Sequence, residues 1–145
     1  GAVRARKLAN ALHSEIAIID KRRPRPNVAQ VMNVIGEVEG MNAVIIDDMV
    51  DTAGTLVAAV EMLKIKGAKD IYCCCTHPIL SDPAIERISN SALKELVTTN
   101  TIQLEEYKKD CAKMVQLSVA PLIGQGILNI VDDKPLSDLF VYNKE

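Results

Sequence analysis

Four apolar residues, Ala43-Val44-Ile45-Ile46, run straight into an acidic doublet, Asp47-Asp48. After Met49 and Val50 the chain narrows to a small-residue turn, Asp51-Thr52-Ala53-Gly54-Thr55. The apolar run reads as a buried strand with the acids at its end, and the turn opens a helix whose apolar positions continue to Gly67. A strand that delivers its chain directly into a helix is the repeating unit of α/β layer folds, and few other architectures accommodate it.

The rest of the chain repeats the alternation. A helix is expected from the outset, with Ala5, Leu8, Ala9 and Leu12 at helical spacing, followed by a buried strand over 16–19 and a proline-punctuated basic loop over 21–27. A short run around Val34 precedes the 43–46 strand. Further strands are expected over 71–76, 96–98 and 115–119, a short helix from Pro83 to about Ser89, and a last helix over 121–131 interrupted by Gly124 and Gly126. The expected fold class is α/β, a mostly parallel sheet flanked by helices, in one domain spanning 1–145. Such sheets bind ligands at the carboxyl ends of their strands.

At 145 residues, 48% hydrophobic and 25% charged, the chain can bury one substantial core, which excludes disordered and fibrous architectures. A formal charge of −2 gives no overall basic field, so nucleic acid and anionic membranes are not expected partners. The apolar runs fall far short of the roughly 20 residues that a bilayer-spanning helix needs. Aromatic residues, 3% of the chain, offer little for stacking bases or sugars. Cys73, Cys74 and Cys75 are consecutive and Cys111 stands apart. Neighbours on a strand point to opposite faces, so these read as buried apolar thiols rather than a disulfide or metal framework. With no signal peptide in view, a reducing, cytoplasmic setting is expected. The chain opens on Gly1 with almost no lead-in to its first helix, which suggests a fragment whose preceding strand and loop lie outside it.

The turn after the acidic doublet has the chemistry of a phosphate cradle. Backbone amides at a helix start, with the hydroxyls of Thr52 and Thr55, can hold an anion, and Gly54 permits close approach. Asp47 and Asp48 suit vicinal sugar hydroxyls, directly or through magnesium. A plainer reading has Asp51 and Thr52 merely starting a helix while the acids cap a strand edge, but it does not account for the whole combination, which asks for a phosphorylated polyol.

These thirteen residues resemble the phosphoribosyl-diphosphate signature of the type I phosphoribosyltransferase fold. Upstream, Lys21-Arg22-Arg23-Pro24-Arg25-Pro26 places four cations on a proline-restricted loop. A solvated charge run or a nuclear-localisation-like patch are the plainer readings. A cationic loop beside a phosphate site can also close over a transferring phosphoryl group, with Lys21 and Arg23 on one side of an extended backbone.

Taken with Val31-Met32-Asn33-Val34-Ile35-Gly36, Cys75-Thr76-His77 and Leu117-Ser118-Val119-Ala120-Pro121-Leu122, the whole chain resembles the carboxyl-terminal half of the ribose-phosphate diphosphokinase (phosphoribosyl pyrophosphate synthetase) family. The resemblance implies magnesium-dependent transfer of diphosphate from ATP to the anomeric hydroxyl of ribose 5-phosphate. Phosphoribosyl diphosphate and AMP are the products. It implies a catalytic Lys21, and a ribose 5-phosphate site of Arg23, Asp47, Asp48, Asp51, Thr52, Ala53, Gly54 and Thr55. It also implies assembly of the full-length enzyme into homo-oligomers, hexamers above all. No metal ligand is assigned within this chain, and the fragment alone is expected to be inactive.

His77 is expected to line a strand end structurally, and His13 carries less. Arg4 and Arg6 fall in the first helical turn, unfavourable to the helix dipole, so they are either solvated or held by an anion or interface. Two alternatives stay open. A nucleobase phosphoribosyltransferase shares the signature but should carry a base-recognising hood, which is not evident here. A non-catalytic, synthetase-associated homologue would have no need of Lys21, Arg23 and Asp51.

Overall fold

The structure is a computed structural model that describes residues 2–22 and 31–140. Helix α1 (Ala2–Ala11) leads to strand β1 (Ile18–Arg22), which pairs antiparallel with β2 (Val31–Ile35) in a two-stranded ribbon. The main sheet is parallel throughout, in the order β3 (Ala43–Val50), β4 (Ile71–Pro78), β5 (Glu95–Thr99), β6 (Met114–Leu117). Its crossovers carry α2 (Gly54–Ile65), α3 (Ala84–Asn90) and the short α4 (Glu106–Lys109). Helix α5 (Ala120–Val131) and a 3₁₀ turn (Leu136–Leu139) follow β6. The α/β class and the mostly parallel sheet are as expected.

Strand periodicity assigns the two faces of this sheet. In β4 the buried residues Ile71, Cys73 and Cys75 alternate with the half-buried Tyr72 and Cys74. Cross-strand partners share a face, so Ala43 and Ile45 on β3, Leu96 on β5 and Met114 on β6 lie on the side of Ile71 and Cys73. There they join Leu56, Val60 and Leu63 of α2 and Ile88 of α3 in one continuous core. The apolar positions of α2 therefore cover the sheet and leave Glu61 and Lys64 exposed.

The opposite face is less covered. Val44, Val115 and Leu117 are exposed there, and α1 approaches it at the end of β3. Helix α5 leaves Leu122, Ile123, Ile127, Leu128, Ile130 and Val131 exposed, with Asn129 as its buried residue.

Several boundaries differ from the sequence expectation. Strand β3 extends four residues past Ile46, through both aspartates to Val50. The ladder tolerates the charges because β3 is an edge strand on which Asp47 is exposed and Asp48 half-buried. Strand β1 starts two residues later than expected and runs through Lys21 and Arg22, which pair with Met32 and Val31. Helix α5 is continuous across Gly124 and Gly126. Neither α4 nor the 3₁₀ turn stood out in the sequence, being four residues each.

Candidate functional site

The loop between β3 and α2 sits at the carboxyl end of the sheet, where parallel strands present their ligand-binding turns. Val50, buried, anchors its start: its carbonyl accepts from Leu80 N–H at 3.0 Å, tying the loop to the segment that follows β4. Asp51 and Thr52 are exposed, whereas Ala53 is buried and holds the left-handed conformation, φ 58° and ψ 3°. The left-handed backbone falls at Ala53, while Gly54 already begins α2. Gly54 makes room instead. A Cβ there would stand 3.3 Å from Arg87 Nη1, tighter than ordinary contact.

A left-handed residue followed by a right-handed one turns successive amides into one concavity, the arrangement that holds anions. Helix geometry leaves the first amides of α2 without intrahelical acceptors, and the first amide that returns to the loop is Val57 N–H, bonded to Ala53 O at 2.9 Å. Among the described residues no acceptor satisfies the amides of Ala53, Gly54 and Thr55. The loop thus offers these backbone donors, the positive end of a twelve-residue helix, and the exposed hydroxyls of Thr52 and Thr55.

The acidic doublet divides across the sheet. Asp47 pairs with Cys75 on the covered side, and its carboxylate accepts from Asp48 N–H at 2.9 Å. Asp48 points the other way and meets Arg4 of α1, Nη2 to Oδ2 at 3.1 Å. This hydrogen bond is the main reason that the Asp48 carboxyl drops to about 2, with a further contribution from Asp47. Asp47 is left as the exposed carboxylate without a described cation beside it. Among the described residues no three His, Cys, Asp or Glu side chains converge to hold a metal. The donor set fits a hydrated magnesium ion that takes one carboxylate and draws its other ligands from substrate oxygens and water.

Lys21 belongs to β1. Arg23 lies outside the described residues, as does most of the basic loop. His77 closes β4 beside Met49 of β3, with Nδ1 2.9 Å from Thr101 Oγ1, in a hydroxyl network that includes Thr99 and the Thr76 carbonyl. Its expected structural place at a strand end agrees with this geometry. Burial raises the thiols of Cys73, Cys74 and Cys75, that of Cys75 to about 11, so they stay protonated at neutral pH.

Two cations near the loop escaped attention as site residues. Arg4 had left a trace in the sequence, a cation in a first helical turn where the helix dipole disfavours it. Arg87 had left none. It lies on α3, 35 residues from the loop carbonyl of Thr52 that it grips at 2.9 Å.

Comparison with known proteins agrees with this architecture. Residues 6–141 match the family model of the phosphoribosyl synthetase-associated domain. A ribose-phosphate pyrophosphokinase of Staphylococcus saprophyticus is 59% identical over 140 residues, covering 97% of this chain and 43% of its own length. That of Staphylococcus haemolyticus is 57% identical with the same coverage. The crystal structure of phosphoribosylpyrophosphate synthetase from Mycobacterium smegmatis superposes with a TM-score of 0.80 at 35% identity, over 90% of this chain and 42% of that one. The chain thus spans less than half the length of these relatives, and its sheet and helices have the phosphoribosyltransferase-like fold. The chain belongs to the phosphoribosyl synthetase-associated domain family.

Proposed function

We propose that this chain is the ribose 5-phosphate-binding domain, carboxyl-terminal in its parent, of a ribose-phosphate diphosphokinase. The observation that carries the reading is the turn at Ala53–Gly54, whose amides have no acceptor among the described residues and stand at the start of α2, where an anion is favoured. The 5-phosphate takes these amides and the hydroxyls of Thr52 and Thr55. Asp51 and Asp47 accept hydrogen bonds from the ribose hydroxyls, and Asp48, held by Arg4, fixes the end of β3.

The anomeric hydroxyl then attacks the β-phosphorus of ATP, the diphosphoryl group is transferred, and AMP leaves. Lys21 neutralises charge on the migrating group, and Arg23 supports the sugar-phosphate side. Magnesium, when bound, lowers the charge on the polyphosphate. ATP recognition draws on further parts of the parent enzyme, so the chain alone binds ribose 5-phosphate but turns over little or not at all. The parent acts in the cytoplasm as a homo-oligomer, a hexamer. The exposed apolar side chains of α5 support an assembly in which they are covered.

Calorimetric titration with ribose 5-phosphate, with and without magnesium, tests the reading. Binding by the chain and its loss in Asp51→Ala are expected. No heat with either protein, or sustained AMP release by the chain alone, would contradict it.

A further inference from the structure

Arg87 is exposed on α3, yet its guanidinium is not left to solvent: Nη1 donates to the main-chain carbonyl of Thr52 at 2.9 Å. Its own backbone amide is tied to Pro83 O at 3.1 Å, so the side chain projects from an anchored helix. The carbonyl it grips belongs to the peptide unit joining Thr52 to Ala53. In a trans peptide the C=O and N–H point in opposite directions, so fixing the Thr52 carbonyl toward α3 aims the Ala53 amide away from it. That amide is the first of the three donors in the concavity. The next residue, Ala53, has the left-handed φ of 58° that an L-alanine adopts only when its surroundings hold it there. The room for the guanidinium comes from Gly54, whose missing Cβ would have stood 3.3 Å from Nη1.

From these contacts we infer that Arg87 is a positioning residue for the phosphate-binding loop, locking the Thr52–Ala53 peptide so that its N–H faces the anion. The inference rests on the ribose 5-phosphate reading for the identity of the ligand. The peptide lock itself does not. Without the guanidinium, the Thr52–Ala53 peptide is free to flip, which would exchange a donor for a carbonyl oxygen in the concavity and repel the phosphate. The bond also polarises the peptide, making the Ala53 amide a better donor at no cost of reorganisation when the ligand arrives. Arg87 acts through the backbone and touches no reacting atom.

Three variants, Arg87→Gln, Arg87→Ala and Arg87→Lys, separate this role from a general contribution to folding. Ribose 5-phosphate titrations of the chain should show binding weakened about tenfold in Arg87→Gln and Arg87→Ala, the loss of one charge-assisted hydrogen bond. In Arg87→Lys, which can still donate to the carbonyl, much of the affinity should return. Amide nitrogen–proton spectra without ligand should show the Ala53, Gly54 and Thr55 resonances shifted in Arg87→Gln, while those of Ile71 and Leu96 and the melting temperature stay put. Unchanged loop amides in the free variant would overturn the lock, as would unchanged affinity. If the parent chain fails to bind ribose 5-phosphate, the functional reading falls, and the spectra of the free proteins still decide the lock.

Discussion

The two faces of the central sheet were built from the same residue types and met different fates. On one, Ile71, Cys73 and Leu96 are sealed beneath α2 and α3, with Val60 and Ile88 fully buried among them. On the other, Val44 and Val115 remain exposed, and α5, which follows β6, turns most of its apolar residues to solvent, Ile130 being 63% and Val131 72% accessible. Parallel sheets are ordinarily covered on both sides. The difference teaches that apolar composition alone does not locate a core. Stability is concentrated where crossover helices return to the sheet, while the open side carries a surface of the kind that marks an interaction site.

The largest expected effect contrasts these regions directly. Leu96→Ala, on the covered face, should cost about 3 kcal/mol in chemical denaturation, because the transfer loss is joined by a cavity that the packed helices cannot refill. Ile130→Ala, on α5, should change stability by no more than about 0.5 kcal/mol. A comparable cost at Ile130 would break the contrast and mean that α5 is covered in solution; a concentration dependence of that cost would assign the cover to a second copy of the chain.

A smaller effect sharpens the account of the covered face. Thr98 is 1% exposed on β5, and its Oγ1 has no hydrogen-bond partner among the described residues. Thr98→Val keeps the shape and removes the stranded hydroxyl, so a stabilisation of about 1 kcal/mol is expected by denaturant titration. A loss of similar size would show that the hydroxyl is satisfied after all.

The same division explains what was legible in the sequence. The α/β alternation and the covered strands were readable because apolar runs such as Ile71–Cys75 and the spacing of Leu56, Val60 and Leu63 encode periodicity locally. The phosphate-binding turn was readable as well, since a strand, small residues and a helix start are consecutive. Contacts made across the fold were not. That Arg87 reaches Thr52 follows from how α3 packs beside α2, and no spacing rule links residues 35 apart. The left-handed backbone at Ala53 was not legible, because glycine is the usual occupant of that conformation, whereas here Gly54 supplies space and Ala53 bears the φ of 58°. The continuation of β3 past Ile46 to Val50 was not legible, because a period-two alternation is hard to see once an edge strand reaches solvent.

At the margin between the two faces, the ion pair of Arg4 with Asp48 gives the smallest and most specific test. Its side chains are 51% and 48% exposed, so solvent screens it, and its contribution to folding at neutral pH is slight. Its signature is titration. The Asp48 carboxyl, at about 2 in the folded chain against an ordinary 3.8, should move up toward the ordinary value in Arg4→Ala. It should not reach that value, because the Asp47 and backbone hydrogen bonds remain. Carbon-13 spectra of the carboxyl group report the midpoint. A folded-state pKa held below the unfolded one favours folding at pH values above 3.8. The benefit fades as pH falls from there through about 2. The stability difference between the parent and Arg4→Ala should therefore be present at neutral pH and vanish at the acid end of that window. An unmoved midpoint in the variant would mean that α1 does not hold Asp48, and that the open face lacks even this tether at the end of β3.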